Sequence, residues 1–228
     1  PIPPKEISSD EAPCHEIIIE GDDLDKPGNA LDAIPVPIST PGWDVGPVAT
    51  LTQYVTKDPD DGLTNMGNYR AQIKGPRRMG MNPSLELRPG IYVHWQKMKE
   101  RGEKLPAAVV LGAPSCVTFT AAQKLPENLE EITVAGGLVG SPINVVKART
   151  VDLMVPAEAE IVVEGYINTE MLEPEAPFGE SHGHVNLQEF NAFMDVTCIT
   201  RRSNPIMTSI ISQVTPSESS CIKQVAYE

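Results

Sequence analysis

The sequence predicts an α+β fold, a barrel-like or mixed sheet with a few inserted helices. Short apolar or β-branched runs recur along the chain, at Ile17–Ile19, Thr50–Lys57, Ala107–Leu111, Asn144–Thr150, Glu160–Ile167 and Ala192–Arg201. Helical periodicity is confined to a few short windows between them. The 22 prolines and 17 glycines punctuate the rest, as expected of a protein rich in strands and turns. Strands do not alternate regularly with helices, and neither GxGxxG nor GxxxxGK[ST] occurs, which disfavours a doubly wound nucleotide fold. At 228 residues the chain can bury one sizeable core. The polar, Pro-rich residues 1–13 read as a lead-in, and 14–228 as one domain.

Ile17–Ile19 form a strand that stops at Gly21-Asp22-Asp23. Pro35 to Pro47, with Trp43 inside it, reads as a structured loop or edge strands. Thr50–Lys57 and the segment from Asn65 are the arms of a hairpin whose turn is Asp58-Pro59-Asp60-Asp61-Gly62, and the return arm runs through Gln72 and Ile73 to Lys74, Arg77 and Arg78. Ile91, Trp95 and Met98 recur at helical spacing, with Lys97, Lys99 and Arg101 at the C-terminal end, so a surface helix is expected there until Gly102. Ala107–Leu111 is a buried strand. Helices are expected over Val117–Lys124 and Glu127–Ala135, the second entered at Pro126 and ended by Gly136 and Gly137.

A formal net charge of −13 and a pI of about 4.7 argue against nucleic acid or an anionic membrane as partner, and favour small-molecule chemistry. No apolar run approaches the ~20 residues that span a bilayer. Cys14, Cys116, Cys198 and Cys221 lack CxxC spacing and read as reduced thiols of a cytoplasmic protein. The start lacks both Met and a signal-peptide pattern, and the chain is expected to be a fragment of something longer.

The chemistry centres on Glu175-Ala176-Pro177-Phe178-Gly179-Glu180. An odd separation on a straight strand sends two side chains to opposite faces, so only a bend at Pro-Phe-Gly can aim both acids at one site. Two carboxyls in unlike environments can divide acid and base roles. A plain acidic surface turn is the alternative. Arg70 is the candidate cation, able to clamp a carboxylate through two parallel hydrogen bonds, with a surface strand arginine as the commoner alternative. Asn65 is either a turn residue or a metal ligand. Glu131 suits a hard cation, yet the helical pattern turns it away from Leu129 and Ile132, toward a face that reads as solvated. His182 and His184 are weak candidates for proton transfer or metal, His94 reads as packing, and Ser217, Ser219 and Ser220 lack a nucleophile-elbow context.

Together, Asn65-Met66-Gly67-Asn68-Tyr69-Arg70, Val151-Asp152-Leu153-Met154-Val155-Pro156-Ala157 and the Glu175–Glu180 motif resemble the UbiD-like family of reversible decarboxylases, from about Thr50 to Thr200. The resemblance implies a split β-barrel domain, a prenylated flavin mononucleotide, a divalent metal (Mn²⁺, or Mg²⁺) joining its phosphate to the protein, and often K⁺. It makes Arg70, Glu175 and Glu180 catalytic and Asn65 and Glu131 metal ligands. Thr50, the backbone of Gly67, Asn68, Tyr69 and Arg70, and the segment with Ala122 and Gln123 fall where the family holds the flavin and its phosphate. The family's usual histidine ligand falls near Gly90, with His94 one helical turn later. Relatives are about twice as long, so this chain resembles the central flavin-binding domain of a homo-oligomer, a dimer or higher when full length.

The implied reaction is loss of CO₂ from an aromatic, heteroaromatic or α,β-unsaturated carboxylic acid, or its reverse. Carbanion character left on carbon needs an electron-poor cofactor to disperse it. Glu180 is then the proton donor, Arg70 orients the substrate carboxylate, and Glu175 positions Arg70 and tunes Glu180. A flavin- or metal-binding assembly module without catalysis is the rival. A two-carboxylate glycosidase fits less well, because aromatics are only 5% of the chain and Arg70 would be unexplained.

Overall fold

A computed structural model describes residues 1–42, 44–83, 89–126, 128–180, 183–211 and 215–227. Trp43 and His182 lie outside them.

The first strands are β1 (Lys5–Glu6), β2 (Ile17–Glu20), β3 (Val48–Ala49) and β4 (Gln53–Lys57). A turn through Asp58–Gly62, with Gly62 at φ 80°, leads into β5 (Thr64–Asn68), and β6 (Ala71–Gly75) and β7 (Arg78–Met81) form a further hairpin. Helix α1 (Gly90–Glu100) buries Ile91, His94 and Met98. Then come β8 (Leu105–Leu111), α2 (Ser115–Ala121), α3 (Glu131–Val139), β9 (Asn144–Lys147) and β10 (Met154–Pro156). The remainder is β11 (Ile161–Ile167), β12 (Glu173–Glu175), β13 (Phe178–Gly179), β14 (Val185–Asn186), β15 (Glu189–Arg201) and α4 (Glu218–Tyr227), the last without a counterpart in the sequence reading.

The molecule is therefore mixed α and β, mostly sheet with few helices. Its main sheet runs β3-β6-β7-β15-β11-β8-β4-β5, with β2 and β12 also paired to β15. Among the described residues no strand pairing closes this path into a barrel. Yet β5 lies at one end of the path and β6 beside the other, and only Tyr69 and Arg70 connect them. Consecutive Cα atoms are ~3.8 Å apart, so the sheet must curl until its two ends meet at those residues. The Tyr69 N–H donates to Thr52 O (3.1 Å) and Thr52 Oγ1 donates to Tyr69 O, which extends the β4–β5 pairing into this connection. Inside it lies a cluster with Tyr54, Met79, Met81, Ile91, Leu105, Val163 and Met194, and a second core sits under α2 and α3.

Two expectations change. Residues 1–13 are in contact with the fold rather than beside it: β1 pairs in parallel with β9, and the Ile2 N–H donates to Thr133 O at 2.8 Å. Helix α3 starts later than expected and runs through Gly136 and Gly137 to stop at Gly140, whose φ of 73° suits a C-cap. Of the two internal glycines, Gly136 is there for packing. A Cβ on Gly136 would stand 3.0 Å from Ile2 O and 3.1 Å from Ser141 O, so only glycine lets the N-terminal segment lie against the helix.

All four cysteines are free, and burial pushes the thiols of Cys14 and Cys198 up to about 12, which leaves both unreactive. No helix among the described residues is long and apolar enough to cross a membrane.

Candidate active site

Arg70 sits at the seam where the sheet ends meet, half-buried, between β5 and β6. Glu175 closes β12 and Glu180 follows β13, so the chain bends between the two acids at Pro177 and Phe178 as their spacing requires. The bend is held by β13 pairing with β14 and by the Glu180 N–H donating to His184 O (2.8 Å). Both acids reach the one guanidinium. Arg70 Nε donates to Glu175 Oε1 and Nη2 to Glu175 Oε2, each at 2.9 Å, and Nη1 donates to Glu180 Oε1. The Phe178 ring lies 4.9 Å from the guanidinium carbon and limits its tilt. Burial opposes the charge on Arg70, but the bonds and charges of Glu175 and Glu180 outweigh it and raise its pKa.

The two acids differ in environment. The Glu175 side chain is 5% exposed and also accepts from Asn82 Nδ2 (2.7 Å) and Asn191 Nδ2 (2.9 Å). The Glu180 side chain is 20% exposed, and both of its described donors, Arg70 and Asn186 (2.7 Å), go to Oε1. A guanidinium carries five N–H donors. Among the described contacts three are taken, leaving two without a described acceptor.

A second group of predicted residues gathers on β5. Glu131 is 8% exposed, and its Oε2 accepts the Met66 N–H at 2.9 Å, while neighbouring Glu130 accepts the Thr64 N–H at 3.0 Å. The expected solvated face is thus a buried one. Helix α3, through Glu131 and its N-cap Glu130, presents both carboxylates to an edge strand whose outward N–H groups would otherwise lack partners. Burial raises the pKa of Glu131, against the opposing pull of the Met66 N–H. The side chain of Asn65 leaves its Nδ2 buried without a partner, and a Cβ on Gly90 would collide with Asn65 Oδ1. Gly90 thus lies against Asn65, and brings no side-chain donor. His94 turns elsewhere: its Nδ1 pairs with Thr56 Oγ1 at 2.9 Å and its Nε2 lies 3.7 Å from Asp58 Oδ2.

No group of three His, Cys, Asp or Glu residues suited to a metal occurs among the described residues. The orphaned Nδ2 is a donor and cannot itself ligate a metal; it is the amide oxygen of Asn65 and the buried carboxylate of Glu131 that suit a hard, oxygen-seeking cation, which would complete its shell with water or phosphate. Tyr69 folds back over this region. A Cβ on Gly67 would meet its ring, and burial raises the pKa of its phenol. The Asn68 Oδ1 accepts from Gln53 Nε2 at 3.1 Å. Thr50 Oγ1 donates to Ile210 O (2.6 Å), tying the chain after β15 back to β3. Ala122 is exposed and Gln123 donates to Phe119 O (3.2 Å), at the end of α2, which packs on β5. Neither Thr50 nor Ala122 and Gln123 shares a described hydrogen bond with Arg70. The sequence reading missed Asn82, Asn186 and Asn191, since lone asparagines after a hairpin or within strands carry no motif.

The family model for the UbiD 3-octaprenyl-4-hydroxybenzoate carboxy-lyase Rift-related domain matches residues 5–214. The chain belongs to the UbiD family. An uncharacterized protein of Synechocystis sp. is 36% identical over 206 residues, 90% of this chain and 40% of that protein. Among solved UbiD-class structures, HmfF from Pelotomaculum thermopropionicum in complex with prFMN is 31% identical with a TM-score of 0.84, covering 93% of this chain and 48% of that one. The closed form of vanillic acid decarboxylase from Sedimentibacter hydroxybenzoicus is 30% identical with a TM-score of 0.90, covering 97% and 46%. The chain thus spans less than half the length of these UbiD relatives.

Proposed function

We propose that this chain is the flavin-site domain of a decarboxylase that removes CO₂ non-oxidatively from an aromatic, heteroaromatic or α,β-unsaturated acid. The observation that carries the proposal is the half-buried Arg70 held between two acids in unlike surroundings. The prFMN-bound relative supports the cofactor. Prenylated FMN, when bound, supplies an electron sink for the charge left on carbon.

The protein's own residues do the rest. The two remaining Arg70 N–H groups receive the substrate carboxylate and set its orientation, which is worth a large part of any barrier when the reacting atoms are held in line. Glu175, fully bonded, braces the guanidinium. Glu180 keeps Oε2 outside its described donor set, and that oxygen carries the proton to the carbon after CO₂ leaves. Asn65 and Glu131 would hold the divalent ion, with Thr50, the Gly67–Arg70 backbone and the Ala122–Gln123 segment along the flavin and its phosphate.

Glu180→Gln in the full-length protein keeps the shape and removes the acid. It is expected to leave the visible flavin spectrum intact and to reduce CO₂ release by at least about a hundredfold, the usual contribution of a general acid. Turnover at the wild-type rate would remove Glu180 from the mechanism.

A further inference from the structure

We infer that Asn82 and Asn191 are positioning residues of this site, clamping one oxygen of Glu175 so that Glu175 serves only to fix the plane of Arg70. The inference rests on the decarboxylase reading above.

Glu175 Oε2 accepts three bonds: from Asn82 Nδ2 at 2.7 Å, Asn191 Nδ2 at 2.9 Å and Arg70 Nη2 at 2.9 Å. Oε1 accepts Arg70 Nε at 2.9 Å. Each carboxylate oxygen offers about two lone-pair sites, so three donors more than fill those of Oε2 and leave no room for another. Asn82, Asn191 and Glu175 are 8%, 7% and 4% exposed, which keeps water from competing.

The donors come from separate parts of the fold. Asn82 follows β7, Asn191 lies in β15, and Arg70 is at the seam. An oxygen gripped from three directions cannot rotate about the terminal torsion, which is otherwise broad for a glutamate. The bidentate pair then transmits that fixed plane to Arg70.

Asn82 has a second task. Glu189 stands opposite Glu175 on the β12–β15 ladder, a like-charge pair that would push the two strands' acids apart. The Asn82 amide lies 3.5 Å from Glu189 Oε2 while donating to Glu175, so a neutral donor separates the two carboxylates.

A double-mutant cycle in the full-length holoenzyme tests this. Asn82→Ala and Asn191→Ala should each lower kcat by about tenfold to a hundredfold, the range for a lost bond to a charged group. Flavin content, read from the visible spectrum, should stay at the wild-type level. In a Glu175→Ala background the same substitutions should cost less than about twofold, because the group they act through is gone. Equal losses in both backgrounds, or kcat unchanged in the Asn82→Ala/Asn191→Ala double variant, would overturn the inference. Wild-type protein that releases no CO₂ overturns the decarboxylase reading instead. The cycle is then read in urea unfolding, where coupling between Asn191 and Glu175 supports the clamp and strictly additive losses overturn it.

Discussion

Glu131 owes its poise to burial. Removal from water raises its pKa, and only partly does the Met66 N–H pull it back. A carboxyl whose folded value lies above its unfolded value makes its most favourable contribution below the ordinary carboxylate range, and loses it as pH rises through that value toward the folded one. A bound cation reverses the penalty by favouring the charged form. Mn²⁺ binding to the full-length protein is therefore expected to strengthen with pH above the ordinary glutamate value and to release protons. Glu131→Gln should weaken binding by at least about tenfold and flatten the pH dependence. Calorimetric titration in buffers of different ionisation enthalpy measures both, and an unaltered affinity in Glu131→Gln would exclude Glu131 as a ligand. Sequence pattern alone turned this residue to solvent, because helical periodicity weighs Leu129 and Ile132 and knows nothing of an edge strand across the way. By contrast, the Pro-Phe-Gly bend made it legible that Glu175 and Glu180 could point to one side, while their grouping with Arg70 came from the resemblance and not from the local pattern.

Helix α3 teaches the same lesson about glycine. In sequence, Gly136 and Gly137 look like a terminator. In the fold they are a landing for the chain's first residues, and the stop comes at Gly140. The two internal glycines are predicted to differ. Gly136→Val should cost about 1–3 kcal/mol by overpacking against the carbonyls of Ile2 and Ser141. Gly137→Ala, whose Cβ would meet Pro1 only at 3.5 Å, should be neutral or stabilise by up to about 1 kcal/mol through helix propensity. Urea unfolding of the two variants decides; equal losses would mean that the N-terminal segment does not rest on α3. Strand positions were easier to read than this, because β4, β8, β11 and β15 are marked by their own apolar runs. The short β1, β7 and β10 were not, as each is stabilised by a neighbour rather than by its own composition.

For the molecule as a whole, curvature of the sheet creates the site. Its path brings β5 and β6 from opposite ends to within two residues of each other, with Arg70 at that seam and Asn65 on β5 leading into it. Local sequence could place the motifs along the chain; it could not show that the sheet ends converge, which depends on pairings as distant as β11 with β15. If the chain acts as proposed, the seam is where a carboxylate is cleaved from a conjugated acid. Release of CO₂ by the full-length protein, reconstituted with prenylated FMN and Mn²⁺ and offered a panel of aromatic, heteroaromatic and α,β-unsaturated acids, tests that most directly. Release from at least one acid, absent in Glu180→Gln, is the predicted result; flavin-loaded protein that releases CO₂ from none of them would contradict it.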